Sequence, residues 1–242
     1  MSADFLNRLF SLSGQTAVVI GGAGVVGGAI AEGLARAGAY VIVAGRNVQR
    51  GYQRVDVLRA LASQGGFLPV DVTSRDSIRA LLEAALDECG NIDMLVNCAG
   101  VPAGPTYEKL EDEDWRRVID VHLTAAHLAC QVFAPRMAKQ EAGGAILNIG
   151  GAASTGSSAL AHSATTAAVI DLTRRLAAEY AARSVRINVL CADNAVSAEG
   201  RDSSNQSTAL DPNDLVGAAL LLLSRNAGHG ITGAALHVSA NS

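Results

Sequence analysis

The sequence predicts an α/β fold: one doubly wound parallel sheet with helices on both faces. Three observations carry this. Short β-branched runs alternate with stretches of helical spacing along nearly the whole chain. The first run, Thr16 to Ile20, passes into the glycine stretch GGAGVVGG and then into a helix, the strand–turn–helix start of a βαβ unit. Apolar residues make up 49% of the chain against 17% charged, a balance that fits strands buried on both sides. With 242 residues the chain suits a single domain spanning 1–242 that buries roughly 70% of its unfolded surface.

Each element follows in order. After the glycines, Ala29 to Ala37 has helical spacing and stops at Gly38, and Tyr40 to Ala44 is the second strand. Helix Val48 to Ala62, strand Gly66 to Pro69, helix Ser74 to Cys89 and strand Asp93 to Cys98 come next. The pattern then gives helix Asp112 to Lys139, strand Gly144 to Ile149, helix Ala161 to Arg183 and strand Arg186 to Cys191. Between Asn194 and Pro212 the composition turns polar, which predicts a long loop within the domain. Helix Asn213 to Ser224 and strand Ala234 to Ser239 complete the chain.

Charge and composition exclude several classes of function. A net charge of −4 offers no basic field for nucleic acid, and no run reaches the 18 apolar residues of a membrane span. Four cysteines, Cys89, Cys98, Cys130 and Cys191, lack any CxxC spacing, which predicts reduced thiols in a cytoplasmic protein and no structural metal. The opening residues MSADFLNRLFSLSG contain no apolar core of a signal peptide. Only two lysines occur, Lys109 and Lys139, so a lysine-dependent mechanism has few candidates.

Six short motifs stand in order: the glycine turn after the first strand, Arg46, Asp71-Val72, Asn97-Cys98-Ala99-Gly100, Arg186-Ile187-Asn188 and Ile231-Thr232-Gly233. In this order and spacing they make the chain resemble the short-chain dehydrogenase/reductase family over essentially its full length. The resemblance implies a Rossmann-like fold, a nicotinamide cofactor, and a Ser-Tyr-Lys centre with an assisting Asn. It also implies vestigial cofactor contacts at Gly21, Gly27, Arg46, Asp71, Val72, Asn97 and Ala99.

The chain departs from that pattern at the positions that carry chemistry. Laid on the family turn, Gly21 and Gly27 keep their places while the middle glycine is Val25, adding three carbons where the pyrophosphate approaches. Overpacking of this kind costs about 1–3 kcal/mol, or roughly 5- to 150-fold in affinity. His162 falls at the tyrosine position, Thr166 at the lysine, Gly151 at the serine and His122 at the asparagine. None of the four tyrosines, Tyr40, Tyr52, Tyr107 and Tyr180, is followed by lysine four residues on. The Pro-Gly after the sixth strand is Ala192-Asp193, and the terminal Asp-Gly-Gly is Ser239-Ala240-Asn241.

These substitutions lead to the expectation of no catalytic residues and no bound cofactor, with NADP the nucleotide of choice if one binds, because Arg46 supplies a guanidinium where NAD enzymes carry a carboxylate. The resulting reading is a catalytically inactive subunit, similar to the inactive partner in two-subunit members that act on hydroxyacyl-CoA intermediates of anaerobic toluene breakdown, such as 2-[hydroxy(phenyl)methyl]succinyl-CoA. Its partner would be an active paralogue in a heterotetramer joined through helices 112–139 and 161–183 and the last strand, where Ala164, Ala167 and Ala168 permit close approach.

Two alternatives stay open. One is an active NADP-dependent reductase in which His162, paired with His122, replaces the tyrosine and Ser154, Ser157 or Ser158 supplies the hydroxyl. The other is a sensor of nucleotide or small ligands. A zinc site from His122, His127 and His162 lacks a carboxylate or thiol at ligand spacing, so no metal is expected.

Overall fold

In a computed structural model of the chain, residues 3–61, 64–101, 106–151, 160–192 and 210–239 are described. The elements are α1 (Ala3–Phe10), β1 (Thr16–Ile20), α2 (Val25–Arg36), β2 (Tyr40–Gly45), α3 (Val48–Ala60), β3 (Gly65–Pro69), α4 (Arg75–Cys89) and β4 (Met94–Asn97). They continue as α5 (Asp112–Val118), α6 (Ala125–Met137), β5 (Gly144–Gly150), α7 (Leu160–Tyr180), β6 (Val185–Ala192), α8 (Asp214–Leu223) and β7 (Ala235–Val238). The seven strands form one sheet in the order β3-β2-β1-β4-β5-β6-β7, and every pair is parallel. This is the doubly wound fold that the alternating pattern predicts.

The strands alternate their side chains between two apolar layers. Ala17 and Val19 point to the side of α2, α3 and α8, where Ile30, Leu34, Leu58 and Leu222 are buried. Val18 and Ile20 point to the side of α4, α6 and the end of α7, where Ile78, Leu81, Phe133 and Tyr180 are buried. Local signals set the helix boundaries. Asn47 and Ser74 cap α3 and α4 by accepting from the backbone N–H groups of Arg50 and Ser77. Gly38 and Gly90, at φ 99° and 78°, follow α2 and α4 in a conformation that favours glycine.

The structure corrects three sequence expectations. α1 lies where no helix is predicted; it is docked by Ser224 Oγ and Asn226 Nδ2, which donate to the carbonyls of Leu9 and Arg8. α2 begins at Val25, inside the glycine stretch, so the turn occupies only Gly21 to Gly24. The helix expected over Asp112 to Lys139 is interrupted by one wide π-type turn, Ile119–Thr124, which carries His122. Such wide turns occur often at functional sites.

Other expectations fall outside the described residues: the bulk of the polar loop 194–212, Ser154, Ser157, Ser158, Asp193, Ala240 and Asn241. Among the described residues no helix is long and apolar enough to cross a membrane.

Candidate active site

The chain order places β4 beside β1, so the connections leave in opposite directions at the C-terminal ends of these two strands and open a crevice between them. Two adjoining cavities fill that crevice, of about 600 and about 500 Å³, sharing Gly21, Gly24, Cys98, Ala99 and Gly100. The first extends over the end of β2 to Arg46, Asn47 and Arg50. Val25, Gly27, His122, Gly151 and Leu215 line the second.

The glycine turn is shaped by close backbone approach. A Cβ at Gly21, whose φ is 81°, would overlap the carbonyl of Cys98, and one at Gly27 would overlap the carbonyl of Gly21. Neither site tolerates a side chain. Beyond this cradle the first turn of α2 presents backbone N–H groups without partners in the helix, the usual receptor for a phosphate. Val25 is 42% exposed and stands on the wall of the second cavity, so its isopropyl group narrows the crevice without breaking the turn. Together these residues make a backbone cradle that could hold a phosphate, with arginines at one end of the crevice and an imidazole at the other.

Of the expected cofactor contacts, the structure gathers Gly21, Gly27, Arg46, Val72 and Ala99 on the crevice. It does not place Asp71 there: the carboxylate accepts from the backbone N–H and the Oγ1 of Thr73, bonds that hold it below the usual carboxylate range. Asn97 is buried beneath the floor, where its Nδ2 donates to Asn148 Oδ1 at 2.8 Å. Arg50 was missed by the sequence reading. Its spacing of four from Arg46 across the Asn47 cap is the signal that identifies it.

The four substituted centre positions also meet. The rings of His122 and His162 pack edge to face, 4.7 Å between centroids. Gly151 lies against both: a Cβ there would sit 3.4 Å from His162 Cδ2 and 3.7 Å from His122 Cε1. Thr166 donates through Oγ1 to the Gly151 carbonyl at 3.3 Å. Of the two imidazoles it is His122 that lines the crevice, while His162 lies behind it, only 6% exposed.

The backbone of one residue, Val101, holds the pair through two successive peptide groups. The backbone N–H of Val101 donates to His122 Nε2 at 3.4 Å, and His162 Nε2 bonds the Val101 carbonyl at 3.1 Å. A carbonyl only accepts and an N–H only donates, so the neutral His162 carries its proton on Nε2 and the neutral His122 on Nδ1. Burial, then the neighbouring His162, pushes the His122 pKa down to about 4. His122 is therefore neutral near pH 7, with a lone pair on Nε2. Among the described residues no group of three or more His, Cys, Asp or Glu side chains is placed to hold a metal ion.

Comparison with known proteins agrees with this geometry. The short chain dehydrogenase family model matches residues 15–207. The chain is 36% identical over 177 residues to a 3β-hydroxysteroid dehydrogenase of Mediterraneibacter gnavus, a match covering 72% of the chain and 63% of that relative's length. It is 31% identical over 242 residues to the 3-oxoacyl-acyl-carrier-protein reductase FabG of Vibrio harveyi, covering 95% of the chain and 97% of the relative. A solved structure described as an NAD(P)-dependent gluconate 5-dehydrogenase from Beutenbergia cavernae, with NADP at low occupancy, superposes with a TM-score of 0.84. It is 31% identical, and the match covers 96% of this chain and 97% of that one.

These relatives overturn two expectations drawn from the substituted centre, a non-catalytic subunit and a site without cofactor. The physical reason lies in what the substitutions left standing. The close backbone turn at Gly21 and Gly27 is intact, and the tyrosine and asparagine positions hold two imidazoles in contact. By its family match, its relatives and its fold, the chain belongs to the short-chain dehydrogenase/reductase family.

Proposed function

We propose that the protein is an NADP-dependent oxidoreductase that interconverts an alcohol and a ketone, with His122 as the proton-transferring group. The observation that carries this reading is the His122 imidazole on the wall of a crevice shaped for a dinucleotide, backed by the His162 ring behind it. Gly21, Gly27 and the first turn of α2 would hold the pyrophosphate, and Arg46 with Arg50 would hold a 2'-phosphate, since no carboxylate lines that cavity among the described residues. When bound, the nicotinamide supplies the hydride acceptor or donor.

The residues of the chain manage the proton. In oxidation, the substrate hydroxyl displaces the long Val101 N–H bond and gives its proton to His122 Nε2. In reduction, the imidazolium returns that proton to the carbonyl oxygen. His162 holds the Val101 carbonyl and so anchors the residue whose N–H orients His122. The assignment shifts the proton-transfer role from His162, the tyrosine position, to His122.

Assembly belongs to the same reading. Ala164 and Ala167 on α7 face outward, which supports subunit contact through this helix, and four unbridged cysteines support a reducing, cytoplasmic setting.

The test is nucleotide binding by fluorescence with NADPH and NADH, followed by NADPH-dependent turnover of a ketone panel. Binding that favours NADPH, with turnover lost in His122→Ala, is expected. Binding of either nucleotide without turnover of any ketone would overturn the reading in favour of a sensor.

A further inference from the structure

We infer that a single internal water links His122 to Asn97, making Asn97 a positioning residue for the imidazole; the inference rests on the role given to His122 above. A cavity of about 10 Å³ lies under the floor of the crevice, bounded by Asn97, His122 and apolar side chains that include Ile20, Val72, Val121 and Ile149. That is the size of one water, and a buried water is held where it has at least two polar partners.

Asn97 is identified by what it lacks elsewhere, His122 by the nitrogen that its bond to Val101 leaves over. Asn97 is 8% exposed, and its Oδ1 is buried with no hydrogen-bond partner among the described residues. Its Nδ2 is committed to Asn148 Oδ1, and Asn148 Nδ2 in turn donates to Thr173 Oγ1 at 2.9 Å. The amide orientation is thus fixed through a chain of buried groups, with the acceptor side left over. On the other wall, the Val101 N–H claims His122 Nε2, which leaves an N–H donor on Nδ1, and no described hydrogen bond uses it. A water that accepts from Nδ1–H and donates to Oδ1 satisfies both groups.

The consequence is chemical. Which ring nitrogen of a histidine acts as base is set by what the other one holds. With Nδ1–H bound to the water, the lone pair stays on Nε2, toward the crevice. Asn97 and Asn148 sit opposite one another in the β4–β5 register, so the acceptor rides on the most rigid part of the sheet. An amide in this role orients the ring without adding a negative charge, and the His122 pKa accordingly stays low.

The test reads the ring itself, without turnover, so it fails or succeeds independently of the proposed activity. Proton–nitrogen correlation spectra of the chain labelled with ¹⁵N-histidine are expected to show His122 as the Nδ1–H tautomer, and a high-resolution crystal structure to show one water between Nδ1 and Oδ1. Asn97→Leu removes the acceptor but also the bond to Asn148. Ala126→Val, which fills the cavity from its apolar wall, therefore provides a second route. Each variant is expected to lower the Nδ1–H to Nε2–H ratio by roughly three- to tenfold, the worth of one hydrogen bond. Asn97→Asp keeps an acceptor and is expected to keep the tautomer while raising the His122 pKa. An Nε2–H tautomer in the parent chain, or a ratio that neither Ala126→Val nor Asn97→Leu alters, overturns the inference.

Discussion

The nucleotide half of the crevice and its chemical half rise from the same sheet, yet they record different constraints. Around β1 and α2 the backbone itself is the binding surface: Gly21 and Gly27 are held because any side chain would overlap a carbonyl. Around β5, α7 and the wide turn Ile119–Thr124 the proposed function rests on side chains, and there His122, Gly151, His162 and Thr166 have all replaced the groups that the family resemblance implies. A backbone cradle cannot be exchanged piecemeal, because each atom packs on the next. A proton carrier can be exchanged, provided another group of suitable reach occupies the same wall. The sharpest ways to break this contrast are, in order of size, to remove the new proton carrier, to protonate it, to restore the altered glycine and to delete the smallest of the substituted contacts.

Removal of His122 carries the largest effect. His122→Ala is expected to lower kcat for ketone reduction by about 10² to 10⁴, the usual worth of a positioned acid or base, with nucleotide affinity little changed. The pH profile supplies the signature of this group. Reduction draws on the imidazolium, which at a pKa of about 4 is roughly one molecule in a thousand at pH 7, so kcat/KM for reduction rises as pH falls toward 4. Oxidation draws on the neutral ring and is flat above that range. Steady-state rates in both directions between pH 4.5 and 8, with folding checked by circular dichroism at each pH, check this; a reduction rate that is flat or falls toward acid assigns the proton to another group.

Protonation of the same ring also weakens the fold. The imidazole titrates at about 4 in the folded chain and near 6.5 when exposed. Between those values the unfolded chain binds a proton that the folded chain refuses, so stability is complete above pH 6.5 and drains as pH falls. The full loss is about 3 kcal/mol. Urea unfolding at pH 7, 5.5 and 4 measures it, and His122→Gln is expected to remove that share of the slope. An unchanged slope in the variant places the acid sensitivity elsewhere.

Much of this was legible in the residues. The seven strands follow from short apolar runs alternating with helical spacing, and the imidazole pair from counting along α7 and the helix before it. What escaped was contact through the main chain. The Val101 backbone that clamps both rings lies 21 residues from His122 and 61 from His162, and no side-chain pattern marks a backbone partner. α1 escaped for another reason: eight residues make too short a window for periodicity, and its docking depends on α8 more than two hundred residues away. The wide turn at Ile119–Thr124 adds one residue to a helical pattern, a phase change that apolar spacing does not resolve. Asp71 keeps its motif position, but its Oδ1 turns to Thr73, a local bond that the motif does not announce.

The altered glycine offers a gain of function in the half that is otherwise intact. Val25→Gly removes an isopropyl group from the crevice wall at the mouth of α2. Relief of overpacking worth about 1–3 kcal/mol predicts nucleotide binding tighter by roughly 5- to 150-fold. Glycine in place of valine at the start of the helix gives back only about 0.3–0.5 kcal/mol of stability, so the variant should bind better while melting slightly lower. Titration calorimetry with NADPH beside thermal unfolding separates the two. Unchanged affinity would mean that the dinucleotide passes clear of this wall.

Thr166→Val carries the smallest expected effect and discriminates most finely between the two halves. In the pattern implied by the family, this position holds a lysine that clamps the nicotinamide ribose and tunes the neighbouring acid. Here the Thr166 hydroxyl reaches only the Gly151 carbonyl, at 3.3 Å. Valine keeps the shape and deletes that bond, so the expected cost is about 0.5–1.5 kcal/mol of stability, with NADPH affinity and kcat within roughly threefold of the parent. A loss of nucleotide affinity beyond tenfold would return the ribose clamp to this residue. It would also extend the backbone-like constraint of the nucleotide half into α7, where the four substitutions argue that side chains were free to change.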